Sequence, residues 1–298
     1  MVRGSTHEQR SGTTDAPGAG MELLILGIVN TTPDSFSDGG RFLDPESGVK
    51  HAHELVANGA DAIDLGAASS HPDAGPVPPA NEISRLAPVL DALVAEGIAV
   101  SVDSCSPEVQ RFALARGARY LNDIRGFPEP ELYPVLARAS AQLIVMHSIQ
   151  RGPATRSAGD AATLLDDIDA FFAARIAALE SAGVARERLI LDPGMGFFLG
   201  SGAEPSLRVL RALPDLRTRF GLPVLVSVSR KSFLGALTGA AVGARGAATL
   251  AAELFAVQRG ADYIRTHDVR ALRDGLAVLH ALGSSGGSGG SGQGGDAA

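Results

Sequence analysis

The chain has 298 residues, is 45% hydrophobic and sets 26 Lys and Arg against 33 Asp and Glu, a formal net charge of -7. That length and apolar content suit one large domain of about 250 residues with tails, and the acidic balance excludes a broad basic footprint for nucleic acid. A lone cysteine, Cys105, excludes an internal disulfide framework and fits a reducing compartment. No apolar run reaches the roughly 20 residues of a membrane span and no apolar N-terminal segment resembles a signal peptide, so the sequence predicts a cytoplasmic protein without a membrane partner.

Residues 1–20 carry Gly, Ser, Thr and charge without periodicity, and 284–298 are a Gly/Ser tract; both are expected to be disordered tails around a folded domain at 21–283. Within it, short apolar runs alternate with amphipathic stretches. Strands are predicted at 24–30, 61–65, 99–103, 120–123, 143–147, 189–192, 224–227 and 263–266, with helices between them at 45–57, 79–95, 107–116, 130–139, 164–182, 204–213, 244–258 and 269–282. Continuously apolar strands indicate a parallel sheet covered on both faces. Several helices open on Pro, Asp44, Ser106 and Asp268 are candidate N-caps, and Gly59, Gly97, Gly117, Gly183 and Gly260 stand where left-handed C-caps belong. About eight β/α units is the number that closes a (β/α)8 TIM barrel, and the predicted fold class is that single-domain α/β barrel.

Polar residues recur at the C-terminal ends of these strands. In a β/α barrel that end is the catalytic face, where loops from every strand converge. Asp64, Asp103, Asn122, Asp123 and Asp192 are expected to meet there, and buried carboxylates need cations or N–H donors as partners; the alternative, for Asp64 and Asp123 above all, is to cap a helix, bond a loop or support a neighbour. A flat heterocycle bearing several N–H groups would satisfy them. The basic groups sit in the last two loops: Ser229-Arg230-Lys231-Ser232 after the seventh strand and Arg265-Thr266-His267 at the eighth, a region where barrels often bind phosphate. Arg offers a rigid fork for phosphate oxygens and Lys a point charge; the alternative for Arg230 and Lys231 is a solvated surface pair. The first loop, Asn30-Thr31-Thr32-Pro33-Asp34-Ser35-Phe36-Ser37-Asp38-Gly39-Gly40, reads equally as a lid with oxygen ligands for Mg2+ or as an ordinary polar loop.

The segments GIVNTTPDSFSDGG, IDLGAASSHPDAG, SVDS, NDIRGFP, LDPGMGF, SVSRKSFLG and YIRTHD, in this order and spacing, resemble the dihydropteroate synthase family over nearly all of 21–283. The resemblance implies a transferase of folate biosynthesis. Such an enzyme condenses 6-hydroxymethyl-7,8-dihydropterin diphosphate with 4-aminobenzoate, yielding 7,8-dihydropteroate and diphosphate, with Mg2+ as cofactor and a homodimer as the assembly. Carried over residue by residue, it implies that Asp103, Asn122, Asp192 and Lys231 bind the pterin, with Met146 against its ring. Asn30, Arg265 and His267 then meet the diphosphate and the metal, with Asn30 as the metal ligand, and Asp34 and Ser35 lie on the lid. Ser70, Pro72, Lys231, Ser232 and a Phe of the Phe197-Phe198 pair line the aminobenzoate pocket. Asp103, Asp192, Lys231, Arg265 and His267 form the implied catalytic set. Diphosphate would leave before the amine attacks, a route that asks for electrostatic stabilisation and no nucleophilic side chain.

The chain departs from the family pattern at two loops. Ala67-Ala68-Ser69-Ser70-His71-Pro72 stands where most members read Gly-Glu-Ser-Thr-Arg-Pro, so His71 replaces a diphosphate-contacting Arg, as a pH-dependent phosphate ligand or a satisfied loop histidine. Met195-Gly196-Phe197-Phe198-Leu199 replaces a Phe-Gly-Phe-Gly-Lys stretch. Both departures, with MHSIQRGPATR, resemble the sulfonamide-insensitive branch. There an extra aromatic beside the aminobenzoate site would exclude the bulkier sulfonyl group; the alternative is that both Phe side chains are loop core. Two rival readings share the pterin grip, a methyltransferase acting on methyl-tetrahydrofolate and a non-catalytic pterin-binding barrel. Lys231-Ser232 and the long first loop favour the synthase.

Overall fold

A computed structural model describes residues 22–31, 44–69, 75–149, 162–200 and 202–283. The two tails and the segments holding Asp34, Ser35, Ser70, His71 and Pro72 lie outside the described residues. Eight parallel strands run β1 Leu24–Asn30, β2 Ala62–Gly66, β3 Val100–Asp103, β4 Tyr120–Asp123, β5 Gln142–Met146, β6 Leu189–Asp192, β7 Leu225–Val226 and β8 Tyr263–Thr266. They pair in the order β6-β5-β4-β3-β2-β1-β8-β7. A single bridge between Leu191 and Val224 joins β6 to the approach of β7, so the sheet is a barrel with one narrow seam.

The helices that cover it are α1 Pro45–Ala57, α2 Pro79–Ala95, α3 Pro107–Ala115, α4 Tyr133–Arg138, α5 Leu164–Ser181, α6 Glu204–Phe220, α7 Ser232–Thr238, α8 Gly246–Gln258 and α9 Val269–Gly283. Their ends follow local chemistry. Asp44 accepts from the Ser47 N–H at 3.1 Å, Ser106 from Val109 at 3.4 Å and Asp268 from Ala271 at 3.0 Å, satisfying N–H groups that the first turn leaves open.

Two of these helices differ from the sequence reading. The sequence reading ends α6 at residue 213, just before Pro214, yet the helix runs seven residues further to Phe220. Pro removes one backbone bond, but the buried stripe Val209, Leu210, Leu213, Leu216 continues across it, and packing of that stripe outweighs the lost bond. The sequence reading had no helix at 232–238; seven residues are too few for a 3.6-residue period to show.

Alternation along the strands divides the interior in two. Leu26, Ala62, Tyr120, Ile144, Ile190, Leu225 and Tyr263 fill the lumen, while Ile25, Ile63, Leu121, Leu143, Val145 and Leu191 face the helix layer. Two residues after a lumen residue, on the same face, stands a group at the mouth. Tyr120 leads to Asn122, Ile144 to Met146, Ile190 to Asp192 and Tyr263 to Arg265, while Ala62 leads to Asp64, which pairs with Ser101 one layer beneath Asp103. The lumen is thus a plug that carries the site on its top layer.

Candidate active site

Register sets which mouth residues are neighbours. Asp103 of β3 pairs with Asn122 of β4, and Met146 of β5 with Asp192 of β6, at strand spacings of about 5 Å. These four, with Ile124, Met195, Phe198, Ser227, Lys231 and Arg265, line one small, tightly walled pocket. Parity also removes residues from the expected cluster. Asp123, one position past Asn122, turns to the helix layer and accepts from Gln110 Nε2 and the Arg125 N–H, both at 2.8 Å. Of its two readings, mouth ligand and support, Asp123 takes the second: it anchors the loop after β4. His147 likewise follows Met146 outward, with Nδ1 3.3 Å from the Pro193 carbonyl and its ring edge-on to Phe171. Burial holds its pKa down near 4, which keeps it neutral.

Asp64, expected at a strand end, sits mid-strand and fully buried. Its Oδ1 accepts from the Ser101 hydroxyl at 2.6 Å and its Oδ2 from Arg265 Nε. Arg265 also donates from Nη2 to Asp103 at 2.7 Å. A single guanidinium therefore bridges two carboxylates and leaves Asp103 one oxygen free of it. Burial pushes the Asp103 pKa up to about 7 against the pull of Arg265, with Asp64 adding repulsion. Asp192 accepts from the Gly194 N–H at 2.8 Å, and burial raises it to about 6 although that bond and Lys231 oppose the shift. Asn122 is 2% exposed and its Oδ1 has no hydrogen-bond partner. Such an acceptor is costly to leave open and marks where a donor belongs.

Lys231 reaches this pocket from the loop before α7. Its Nζ lies 4.9 Å from the centre of the Phe198 ring, a cation–π distance, and burial with nearby Arg265 lowers its pKa to about 8. The loop is clamped from behind. Arg230 takes a left-handed φ of 58°, its N–H donates to Thr249 Oγ1 at 3.0 Å, and Arg245 Nη1 donates to the Arg230 and Lys231 carbonyls at 2.9 and 3.3 Å. The loop after β6 meets it. A Cβ on Gly196, whose φ is 65°, would come within 3.0 Å of Ser232 Oγ, so the glycine lets the Phe197-Phe198 turn close against Lys231-Ser232. Phe198 is buried and packs with Met146, Phe197 and Ile124.

At the other side of the mouth His267 Nδ1 lies 2.9 Å from Ser229 Oγ. Burial drives its pKa well below the ordinary value, with Arg230, Arg265 and Lys231 acting the same way. Asn30 ends β1 with Oδ1 3.5 Å from where a Gly66 Cβ would stand, so the missing side chain at Gly66 leaves room beside that amide. Among the described residues no three His, Cys, Asp or Glu side chains gather as a metal cage.

The structure thus brings together Asp103, Asn122, Met146, Asp192, Phe198, Lys231 and Arg265 around one pocket, with Phe197 and Ser232 at its rim. Sequence reasoning missed Ile124, Met195 and Ser227, which also line it, and Ser101 and Arg245, which hold its walls. Alternation from Leu225 to Ser227 was the available signal for the serine; the guanidinium clamp had none.

The family model for pterin-binding enzymes matches residues 26–267. Dihydropteroate synthase type-2 of Escherichia coli is 63% identical over 260 residues, covering 87% of this chain and 96% of that protein. Among solved structures, the Xanthomonas albilineans dihydropteroate synthase with 4-aminobenzoic acid superimposes with a TM-score of 0.80 at 38% identity, over 88% of this chain and 93% of that one. The same enzyme in complex with 7,8-dihydropteroate gives 0.77 at 37% identity, over 88% and 94%. A strand-end pocket of buried acceptors at the mouth of a (β/α)8 barrel, matched along its whole folded length by these relatives, shows that the chain belongs to the dihydropteroate synthase family of transferases.

Proposed function

We propose that the chain joins 6-hydroxymethyl-7,8-dihydropterin diphosphate to 4-aminobenzoate, forming 7,8-dihydropteroate and diphosphate. The observation that carries this reading is the set of buried acceptors: Asp103, Asp192 and the unpartnered Asn122 Oδ1. A pterin presents an edge of N–H donors to them, while Met146 and Phe198 offer apolar and aromatic surface to a planar ring. The Xanthomonas albilineans relatives with 4-aminobenzoic acid and with 7,8-dihydropteroate support the substrate and product.

In the reaction the bond from the exocyclic pterin carbon to the diphosphate oxygen breaks with its electron pair on oxygen. Asp103 and Asp192 hold the ring and favour electron donation toward that carbon. His267, neutral, donates a hydrogen bond to the departing oxygens, and Arg265 holds Asp103 in place while Nη1 remains for the same anion. The arylamine nitrogen then forms the new C–N bond and its proton passes to solvent. Phe197, Phe198, Lys231 and Ser232, with Ser70 and Pro72, receive the aminobenzoate. Mg2+ would suit this end as an ion held by few protein groups: Asn30 Oδ1, beside the opening at Gly66, would offer it a hard oxygen. When bound, the ion neutralises charge on the leaving diphosphate. Asp34 and Ser35 would belong to the loop over it, and His71 would add a donor at the same end.

The turn at Phe197-Phe198 is the feature we assign to sulfonamide exclusion, because the ring of Phe198 is fixed between Met146 and the Lys231 ammonium and cannot yield to a wider group without losing both contacts. We further assign a cytoplasmic homodimer. Exposed Leu237, Val242, Val278 and Leu282, on or beside α7 and α9, support a covered face there, and among the described residues no helix is long and apolar enough to cross a membrane.

Purified protein given pterin diphosphate, Mg2+ and 4-aminobenzoate is expected to release diphosphate in step with dihydropteroate. Absence of release that depends on the amine would overturn the assignment.

A further inference from the structure

Beneath the mouth lies a carboxylate that is closed to solvent and that the reaction above does not use. Asp64 of β2 is fully buried and pairs in register with Ser101 of β3, one layer below Asp103. Its Oδ1 accepts from the Ser101 hydroxyl at 2.6 Å and its Oδ2 from Arg265 Nε. Arg265 comes from β8, on the far side of β1, and goes on to donate from Nη2 to Asp103 Oδ2 at 2.7 Å. Both oxygens of Asp64 are therefore engaged, one by a fully buried hydroxyl and one by the guanidinium.

How that guanidinium is divided sets what Asp103 can offer a ligand. Nε–H and Nη2–H project in parallel from one edge of the plane and match the two oxygens of a single carboxylate. Here the edge is split between two carboxylates, Asp64 taking Nε–H and Asp103 taking Nη2–H. Arg265 thus holds Asp103 through Oδ2 alone and leaves Oδ1 to the pocket that Asp103 lines. Were Nε–H released, the same edge could close on both oxygens of Asp103 as a bidentate pair, the stronger arrangement for an Arg and a carboxylate. The acceptor offered to a ring would then be lost. Burial acts to lower the Arg265 pKa, but Asp64 and Asp103 outweigh it and hold the guanidinium charged, so two carboxylates compete for one cation.

We infer that Asp64 is a positioning residue: anchored by Ser101, it retains Nε–H of Arg265, keeps the guanidinium from closing on both oxygens of Asp103 and so leaves Oδ1 open to the pterin ring. The inference rests on the reading that Asp103 receives that ring. A purely structural role predicts a different behaviour. An ion pair that only ties β2 to β8 would lower stability when broken and leave the ligand affinity of the folded protein as it was. Asp64→Asn separates the two, because the amide oxygen can still accept from Ser101 while the amide nitrogen, itself a donor, has nothing to offer Nε–H.

The test is calorimetric titration of the full chain with 6-hydroxymethyl-7,8-dihydropterin, which carries the ring without the diphosphate, alongside steady-state kinetics. Asp64→Asn is expected to weaken ring affinity about tenfold, the scale of one hydrogen bond to a charged group. KM for pterin diphosphate is expected to rise by a similar factor while KM for 4-aminobenzoate stays level. Ser101→Ala, which keeps the charge but frees the carboxylate to turn, is expected to weaken ring affinity about threefold. In an Arg265→Gln background the further change Asp64→Asn is expected to alter ring affinity by no more than about twofold, since the guanidinium through which Asp64 acts is gone. That double variant also carries no unpaired charge at position 64. Unchanged ring affinity in either single variant, or an equal loss from Asp64→Asn with and without Arg265, would overturn the inference. Failure of the unaltered protein to bind the ring would overturn the placing of the pterin at Asp103, and the inference with it.

Discussion

The two walls of the barrel mouth are built in opposite ways. On the β3 to β6 side the site is made of strand residues, Asp103, Asn122, Met146 and Asp192, whose positions follow from sheet register and whose acceptors are desolvated before any ligand arrives. On the β7 to β1 side it is made of loop and strand-end groups, Lys231, His267 and Asn30, with donors held in place by residues outside the pocket such as Arg245, Thr249 and Ser229. The difference matches what each wall would grip. A rigid ring with fixed N–H positions rewards acceptors that cannot move, since a pre-organised site loses little entropy on binding. A leaving group that changes charge rewards donors whose strength can be adjusted by neighbours.

The contrast is sharpest at Asp192. Asp192→Ala removes a charged acceptor from the rigid wall, where a ring donor would be left unpaired, and is expected to lower kcat/KM for pterin diphosphate by about 10^3, or about 4 kcal/mol. His267→Ala on the adjustable wall is expected to cost about 10^2 or less, because an exposed anion retains water and neighbouring cations. Steady-state kinetics of diphosphate release on both variants checks the ordering, and a larger loss at His267 would reverse it. The walls are joined by the loop after β6, where a Cβ on Gly194 would collide with the His147 carbonyl and φ is 76°. Gly194→Ala is therefore expected to destabilise by about 3 kcal/mol, lowering Tm by about 6–12 °C for a domain of this size, as calorimetry would record.

The barrel and its top face were legible because each depends on short-range pattern: apolar runs of strand length, Pro at helix starts, Gly after helix ends. Asp103, Asn122 and Asp192 were legible for the same reason, standing at the ends of such runs. Asp123 stayed open between mouth and support because the end of a run does not say which way a side chain turns; counting in twos from the lumen residue Tyr120 does, and it sends Asn122 inward and Asp123 outward. The bridge of Arg265 between Asp64 and Asp103 was not legible, since it joins residues 201 and 162 positions apart. Helix α6 was read short, ending just before Pro214, where the buried stripe of Leu213 and Leu216 carries on.

Protonation separates the walls again. Burial lifts Asp192 from an ordinary 3.8 to about 6, so between those values the folded chain holds a proton that the unfolded chain has released. Stability from this group is therefore greatest at low pH and falls as pH rises from about 4 to about 6, then levels. Ring binding needs the ionised form, so kcat/KM should move the other way, falling about tenfold per pH unit below about 6. Asp192→Asn is expected to remove this group's share of both slopes and leave that of Asp103, which burial lifts to about 7, so that pH profiles of activity and of Tm become shallower below about 6; a stability slope with pH that is unchanged in the variant would contradict the burial argument.

The smallest expected effect lies where the two walls touch. Phe198 packs on Met146 from the rigid side and receives the Lys231 ammonium from the other, so its ring narrows the space in which the aminobenzoate would lie. Phe198→Ala removes that ring and opens a gap that a carboxylate does not need but a substituted sulfonyl group would fill. One aromatic clash or its relief is worth about 1–2 kcal/mol, so sulfonamide inhibition is expected to strengthen about tenfold while KM for 4-aminobenzoate rises no more than about threefold. Phe197→Ala, at the rim, is expected to give the same direction with a smaller ratio. Inhibition constants that stay unchanged in both variants would mean that these rings serve the loop's packing alone.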